Sequence, residues 1–282
     1  MGEILKFMAA PFFVSVVLVG LHTYMGLHVV LRGIIFIDIA LAQVAAVGSA
    51  VALLFGAEIG SSSAYLVGLF ATCIGAGILS LTRTQNEKVP QEAFIGITYV
   101  VASALMILVL TGVAHGAEQI KALLVGSILW VKCSVIYKVA IVYLIIGLLH
   151  WIWRKRFLLI SLSPDEAVEK GISVRFWDLL FYLTLGFMVT ISVQIAGVLL
   201  VFTFLVVPAV MGVMVTDSLW GRLIFGWIVG VVVSFIGCIT SYYADLPTGA
   251  TIICVFGIAL ILLVLAREIF KGKVVSVNIS KT

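Results

Sequence analysis

Charge is what this sequence has least of. Lys, Arg, Asp and Glu together make up 11% of its 282 residues, where a soluble domain uses roughly a quarter. A chain this poor in charge and 63% hydrophobic cannot cover a water-facing surface. Other absences narrow the chemistry. No GxxxxGK[ST] phosphate loop occurs, so the chain does not hold ATP by that route. No HExxH occurs, and His22, His28, His115 and His150 are never four apart, which argues against an intramembrane metalloprotease. Cys73, Cys133, Cys238 and Cys254 are scattered without the paired spacing of a zinc or iron–sulfur site, and three of them fall in apolar runs as small fillers. The alternating ten-residue pattern of an outer-membrane barrel is missing as well.

What is present is a series of long apolar runs. About twenty such residues cross the roughly 30 Å of bilayer hydrocarbon, and a helix satisfies its own backbone while doing so. The sequence predicts an all-α polytopic membrane protein of eight to nine transmembrane helices. The crossings fall near Phe7–Leu31, Ile34–Phe55, Ala64–Leu81, Ala93–Val113, Val135–Trp153, Phe176–Val193, Val198–Val215, Leu223–Tyr243 and Ala250–Leu265. Ile120–Val131 is apolar but short and reads as a re-entrant or interfacial piece. The first run extends to Leu31 with no cleavage site, so it reads as a retained helix. With the C-terminus cytoplasmic, that side collects Arg32, Arg83, Lys88, Arg154, Lys155, Arg156, Lys170, Arg175, Arg222, Arg267, Lys271, Lys273 and Lys281. The other keeps Lys6, Lys121 and Lys132, with Lys138 just inside a helix. This is the positive-inside bias. The net charge of +4 therefore reports topology, and no nucleic-acid partner is expected.

One cytoplasmic segment, 154–176, has structure of its own. Ser163 reads as a cap, Pro164 as the first helical residue, and Asp165 and Glu166 as first-turn carboxylates. Gly171 reads as the stop, with Lys170 suiting the negative end of the dipole. Sequence grammar leaves two readings of this two-turn helix: a solvated linker, or a coupling helix that docks into a partner.

Several stretches, in order, carry a family resemblance from about His22 to Ala266. They are Leu31-Arg32-Gly33 with the small-residue helix Ile34–Gly48, Ala93–Gly96 with Ile97-Thr98, and Gly126-Ser127-Ile128-Leu129. Ala167 to Gly171-Ile172, Gly197–Val201 to Pro208-Ala209, and Ser241-Tyr242-Tyr243 to Gly249 complete the set. The chain resembles the permease subunits of bacterial ABC importers for zinc and manganese. The resemblance implies a single permease domain over 1–282 with the type II importer fold shared by cobalamin and siderophore permeases. It implies a multi-pass protein of the bacterial inner membrane, paired as a homodimer on two cytoplasmic ABC ATPases. An extracytoplasmic metal-binding protein delivers the ion. The chain itself then binds no cofactor; zinc or manganese is the cargo, and ATP sits on the partner subunit. Pro164, Asp165, Glu166, Ala167 and Gly171 become the ATPase contact.

Ionisable groups inside lipid are costly, roughly 2.5–3.5 kcal/mol for an aspartate, so each is a candidate cargo ligand. Asp38, His22 and His28 are those candidates, and Gln43, further up the second helix, is a neutral oxygen donor beside them. His22 and His28 are six residues apart, about 240° around a helix, and cannot chelate one ion by themselves. The structural alternatives are a hydrogen bond to a neighbouring helix for Asp38 and a carbonyl partner for each histidine. The family's Asp-x-x-x-His pair aligns here with Ile39 and Gln43, and Asp38 stands one residue, or about 100°, away. His115, Glu118 and Asp245 are candidates for gating or for meeting the binding protein, with Asp245 also suited to capping the last helix or its turn. Glu92 needs only a helix dipole. The helix rich in Gly and Ala, from Gly33 to Ala50, is expected at the centre of the subunit. Rival functions are a permease for a metal chelate or other small substrate, a gradient-driven secondary transporter, and a membrane scaffold.

Overall fold

The architecture comes from a computed structural model, which describes residues 2–57, 61–82, 89–112, 118 and 124–279, with side chains over 7–269. Its long helices are α1 (Gly2–Arg32), α2 (Ile37–Leu54), α3 (Ser62–Leu81), α4 (Gln91–Leu110) and α5 (Cys133–Ile152). Two short ones, α6 (Arg154–Leu162) and α7 (Pro164–Glu169), lead into α8 (Val174–Val215), α9 (Leu219–Ala244) and α10 (Thr248–Ile279). Eight of these are long and apolar enough to cross a membrane.

α8 departs from one helix per crossing. Its 42 residues would form a rod of about 63 Å at 1.5 Å per residue, twice the hydrocarbon thickness. It is interrupted at Gly197, with φ 76° and ψ 159°, and its neighbours show which way each limb runs. Against α1, Asp178 meets Arg32, Phe181 meets His28, and Ser192 reaches His22 through Tyr143. Limb 174–196 is therefore antiparallel to α1. α9 is antiparallel to α1 too, because Thr23 faces Gly226, Val19 faces Gly230 and Phe12 packs on Phe235. Limb 198–215 is antiparallel to α9, with Gly212 on Arg222 and Pro208 on Gly226. The two limbs thus oppose each other and α8 doubles back at Gly197. Its limbs measure about 34 Å and about 27 Å, which makes nine crossings among the described residues and matches the separate spans expected on either side of Gly197.

The described end of the doubtful 120–131 stretch is no crossing. Leu124–Trp130 lies over the α8 reversal: the Ser127 N–H donates to the Ile195 carbonyl at 3.1 Å, and a single 3-10 turn, Ile128–Trp130, follows. Gly126 and Gly197 both have positive φ and touch backbone to backbone.

Small residues set the packing, since lipid gives helices no hydrophobic reason to associate. α2 lies against α3, α4 and α8. A Cβ on Gly48 would sit 2.7 Å from the Val67 carbonyl, and one on Gly26 would fall 1.7 Å from that of Leu205. α2 is accordingly a buried helix, with Ala40, Ala42, Ala45, Ala46 and Ala50 all inside. α4, α5 and α10 instead expose most of their surface.

Candidate transport site and coupling surface

The antiparallel relations gather Arg32, Arg154, Lys155, Arg156, Lys170, Arg175 and Arg222 at one end of the bundle. Asp38 lies at this basic end, in the first turn of α2. It is 1% exposed, and neither carboxylate oxygen has a hydrogen-bond partner. The N–H groups of Asp38 and Ile39 are close by but do not reach bonding geometry. Its charged neighbour is Glu92, in the first turn of α4. Glu92 does more than meet a helix dipole. Its Oε1 accepts the Phe36 N–H at 3.1 Å, tying α4 to the start of α2, while its Oε2 is buried without a partner. Two carboxylates therefore lie near each other with three oxygens unbonded. Gln43, further along α2, is 2% exposed, and its Oε1 is also unbonded.

The histidines go elsewhere. His22 Nδ1 lies 2.8 Å from the Leu18 carbonyl on its own helix, with Tyr143 Oη at 3.4 Å, and Tyr143 is bonded to Ser192 on α8. His22 Nε2 is unbonded. His28 Nδ1 lies 2.8 Å from Ser161 Oγ on α6. Among the described residues no three His, Cys, Asp or Glu side chains come together. Asp38 thus shares no ligand cluster with His22 or His28.

His28 belongs to a network at the basic end that sequence reasoning missed. Arg32 Nε donates to Ser161 Oγ at 2.8 Å, Ser161 Oγ donates to the Phe157 carbonyl, and Arg32 Nη1 pairs with Asp178 at 2.6 Å. Both side chains of that ion pair are buried, at 1% and 0%, and the guanidinium lies 4.1 Å over the Phe181 ring. Buried charge is tolerated only when paired. Here the pair locks the end of α1 to the start of α8, with α6 between them. His150, stacked on Phe157 at 4.2 Å and bonded to Thr184 at 2.9 Å, extends the cluster. The signal available in the sequence was Asp178, a carboxylate two residues into an apolar run, which demands a partner for the same reason as Asp38.

The network holds α6 and α7 against the bundle. α7 begins at Pro164 as expected, but Ser163 makes no side-chain cap; its carbonyl accepts the Ala167 N–H at 3.2 Å instead. The helix ends at Gly171, φ +70°, where the Gly171 and Ile172 N–H groups close back on Val168 and Ala167 at 2.9 Å each. Ala167 is fully buried, while Asp165, Glu166, Val168, Glu169, Lys170 and Gly171 face outward. Lys170 and Glu166 form an exposed pair at 2.6 Å.

At the opposite end, Asp245 closes α9 rather than capping the next helix. It has φ 52°, and its N–H and that of Leu246 return to Ser241. It is exposed, as is Glu118 in the connection before α5; His115 lies outside the described residues.

Among the described residues, nine apolar limbs around buried polar groups, with a short outward-facing helix on the basic face, define a multi-pass helical membrane protein of the permease type. The chain belongs to the ABC 3 transport family, which it matches over residues 4–267. It is 29% identical over 250 residues to a "Probable iron transport system membrane protein" of Haemophilus influenzae, covering 88% of this chain and 85% of that one. It is 26% identical over 232 residues to the "Manganese transport system membrane protein MntC" of Listeria innocua, covering 82% and 80%. Its fold is similar to that in "PsaBC from Streptococcus pneumoniae in complex with Fab", with TM-score 0.77, 22% identity and coverage of 93% and 94%.

Proposed function

We propose that this chain is the membrane-spanning subunit of an ABC importer for a divalent metal ion, manganese or zinc. The observation that carries the reading is Asp38: a fully buried carboxylate with both oxygens unbonded, beside the half-bonded carboxylate of Glu92. An unsatisfied buried acceptor costs about 1–3 kcal/mol. A passing dication supplies the charge and the contacts that Asp38 lacks, and releases readily because so few ligands hold it. The donors left free here, carboxylate and amide oxygens, suit manganese better than softer metals. The names of the family relatives, which transport manganese or iron, support a metal cargo.

Two copies enclose the pathway and stand on two cytoplasmic ATPases, and an extracytoplasmic protein brings the ion. Each ATPase docks on α7 at Pro164, Asp165, Glu166 and Gly171, while Ala167, buried against the bundle, anchors the helix from behind. Closing of the ATPases moves α7, and the Arg32–Asp178–Ser161 network passes that motion to α1 and α8. Asp245 and Glu118 then face the delivering protein, and His115, outside the described residues, stays a candidate for the same contact. Nine crossings with the basic end inside leave the C-terminus in the cytoplasm. His22 and His28 hold helices together in this reading, and Gln43 remains a second oxygen donor.

The test is cellular metal content by mass spectrometry in a strain lacking the gene, under chelator starvation, complemented with wild type or Asp38→Ala. Loss of manganese or zinc restored only by wild type supports the reading. Unchanged divalent metals, with the protein expressed, would sink it. A second reading, a permease for a metal chelate, rests on the resemblance alone, in which the family's Asp-x-x-x-His pair aligns here with Ile39 and Gln43.

A further inference from the structure

α1 is flanked by α5 and α9, and the three leave a lipid-facing cleft of about 660 Å³ between them. Along α1 its wall runs from Val17 to Leu31, aliphatic except for Tyr24 and His28, about 21 Å at 1.5 Å per residue. That is more than the roughly 15 Å of hydrocarbon in one leaflet. The mouth at the basic end has a different chemistry. Trp151 and Trp220 meet edge to face at 6.3 Å, each more than half exposed, which places indoles at headgroup depth. Beside them Arg154 and Lys155 line the same opening, both exposed. The Arg154 guanidinium lies 4.4 Å over the Trp151 ring and gives one N–H to the Trp151 carbonyl at 3.0 Å. Its remaining donors form a fork suited to phosphate.

We infer that this cleft binds an anionic glycerophospholipid, with its phosphate on Arg154 and Lys155 and an acyl chain along α1. Charge complementarity selects this occupant. A zwitterionic lipid brings its own cation to a mouth that already holds two, whereas an anionic headgroup is drawn to clustered Lys and Arg at the membrane face. The Val, Leu and Ala side chains along the wall suit a hydrocarbon chain. Gly20 and Gly147 line the cleft and have nothing within 4 Å of an added Cβ, so the space beside them is open. The site lies apart from Asp38 and from the outward face of α7, and its test does not depend on the cargo.

The experiment is native mass spectrometry of the full chain, with phosphatidylglycerol or phosphatidylcholine of identical acyl chains as probes. Wild type should retain phosphatidylglycerol in preference to phosphatidylcholine. Arg154→Gln with Lys155→Gln should weaken phosphatidylglycerol retention by roughly thirtyfold, the loss of two headgroup cations, and abolish the preference. Gly147→Phe, which fills the cleft and leaves both cations, should lower retention of both lipids. Melting temperatures near that of wild type establish that each variant is folded, and the two variants test the two ends of the site separately. Equal retention of the two lipids by wild type would overturn the proposal, as would unchanged phosphatidylglycerol binding in both variants. A wild-type dimer that Gly147→Phe converts to monomer would also overturn it, because the cleft would then be covered by a second copy.

Discussion

Replacing Gly197 with alanine tests the reversal of α8, on which the count of nine crossings rests. Its φ of 76° with ψ of 159° lies in a region open essentially to glycine, and a side chain there costs about 1–3 kcal/mol in backbone strain. The new Cβ would also lie 2.4 Å from Gly126 N and 2.5 Å from Val125 C. Both are backbone atoms of a segment pinned by the Ser127–Ile195 hydrogen bond, so no flexible side chain can yield. Overpacking of this kind adds about 1–3 kcal/mol, for a total of about 2–6 kcal/mol. At about 2 °C or more per kcal/mol for a chain of this size, Tm in detergent should fall by at least about 4 °C. Gly257→Ala is the control, since an added Cβ there meets nothing within 4 Å and alanine favours a helix; its Tm should hold or rise slightly. Gly126→Ala should behave like Gly197→Ala. A Gly197→Ala protein melting with the control would refute the tight reversal.

Asp38→Asn should leave Tm unchanged or raised in detergent while cutting metal uptake at least tenfold, because it removes a buried charge that has no partner; a lower Tm with normal uptake would make Asp38 structural. Gly171→Arg should abolish uptake with normal membrane levels on a blot, since the side chain projects from the outward face of α7 into open space; normal uptake would contradict ATPase docking there. Arg32→Gln breaks a buried ion pair and should cost about 3–5 kcal/mol, whereas Lys170→Ala removes an exposed pair worth about 1 kcal/mol or less. Comparable melting temperatures for these last two variants would overturn the structural role of the network.

Much of the fold was legible because each crossing announces itself locally. A run of about twenty apolar residues specifies a span without reference to any other part of the chain. Proline at 164 and glycine at 171 bound α7 for reasons contained within a few residues. Even the break in α8 was visible, as a division between Val193 and Val198. The polar interior was not legible, because its pairs lie far apart: Arg32 meets Asp178 across 146 residues, and Glu92 meets the Phe36 N–H across 56. No periodicity encodes such pairs. The rule that a buried charge needs a partner singled out Asp38, and applied to Asp178 it would have exposed the network around Arg32. It would not have told the two apart. One aspartate found an arginine and the other found none, and only the packing of α1, α2 and α8 decides which.

The central claim is that this chain moves a divalent ion only when a separate ATPase drives it. The direct measurement is manganese and zinc uptake into proteoliposomes holding the chain either alone or with its partner ATPase. The account predicts uptake only with both subunits, ATP and the metal-binding protein present, and none by the chain alone. Uptake by the chain alone on an ion gradient would contradict it and make the protein a secondary transporter.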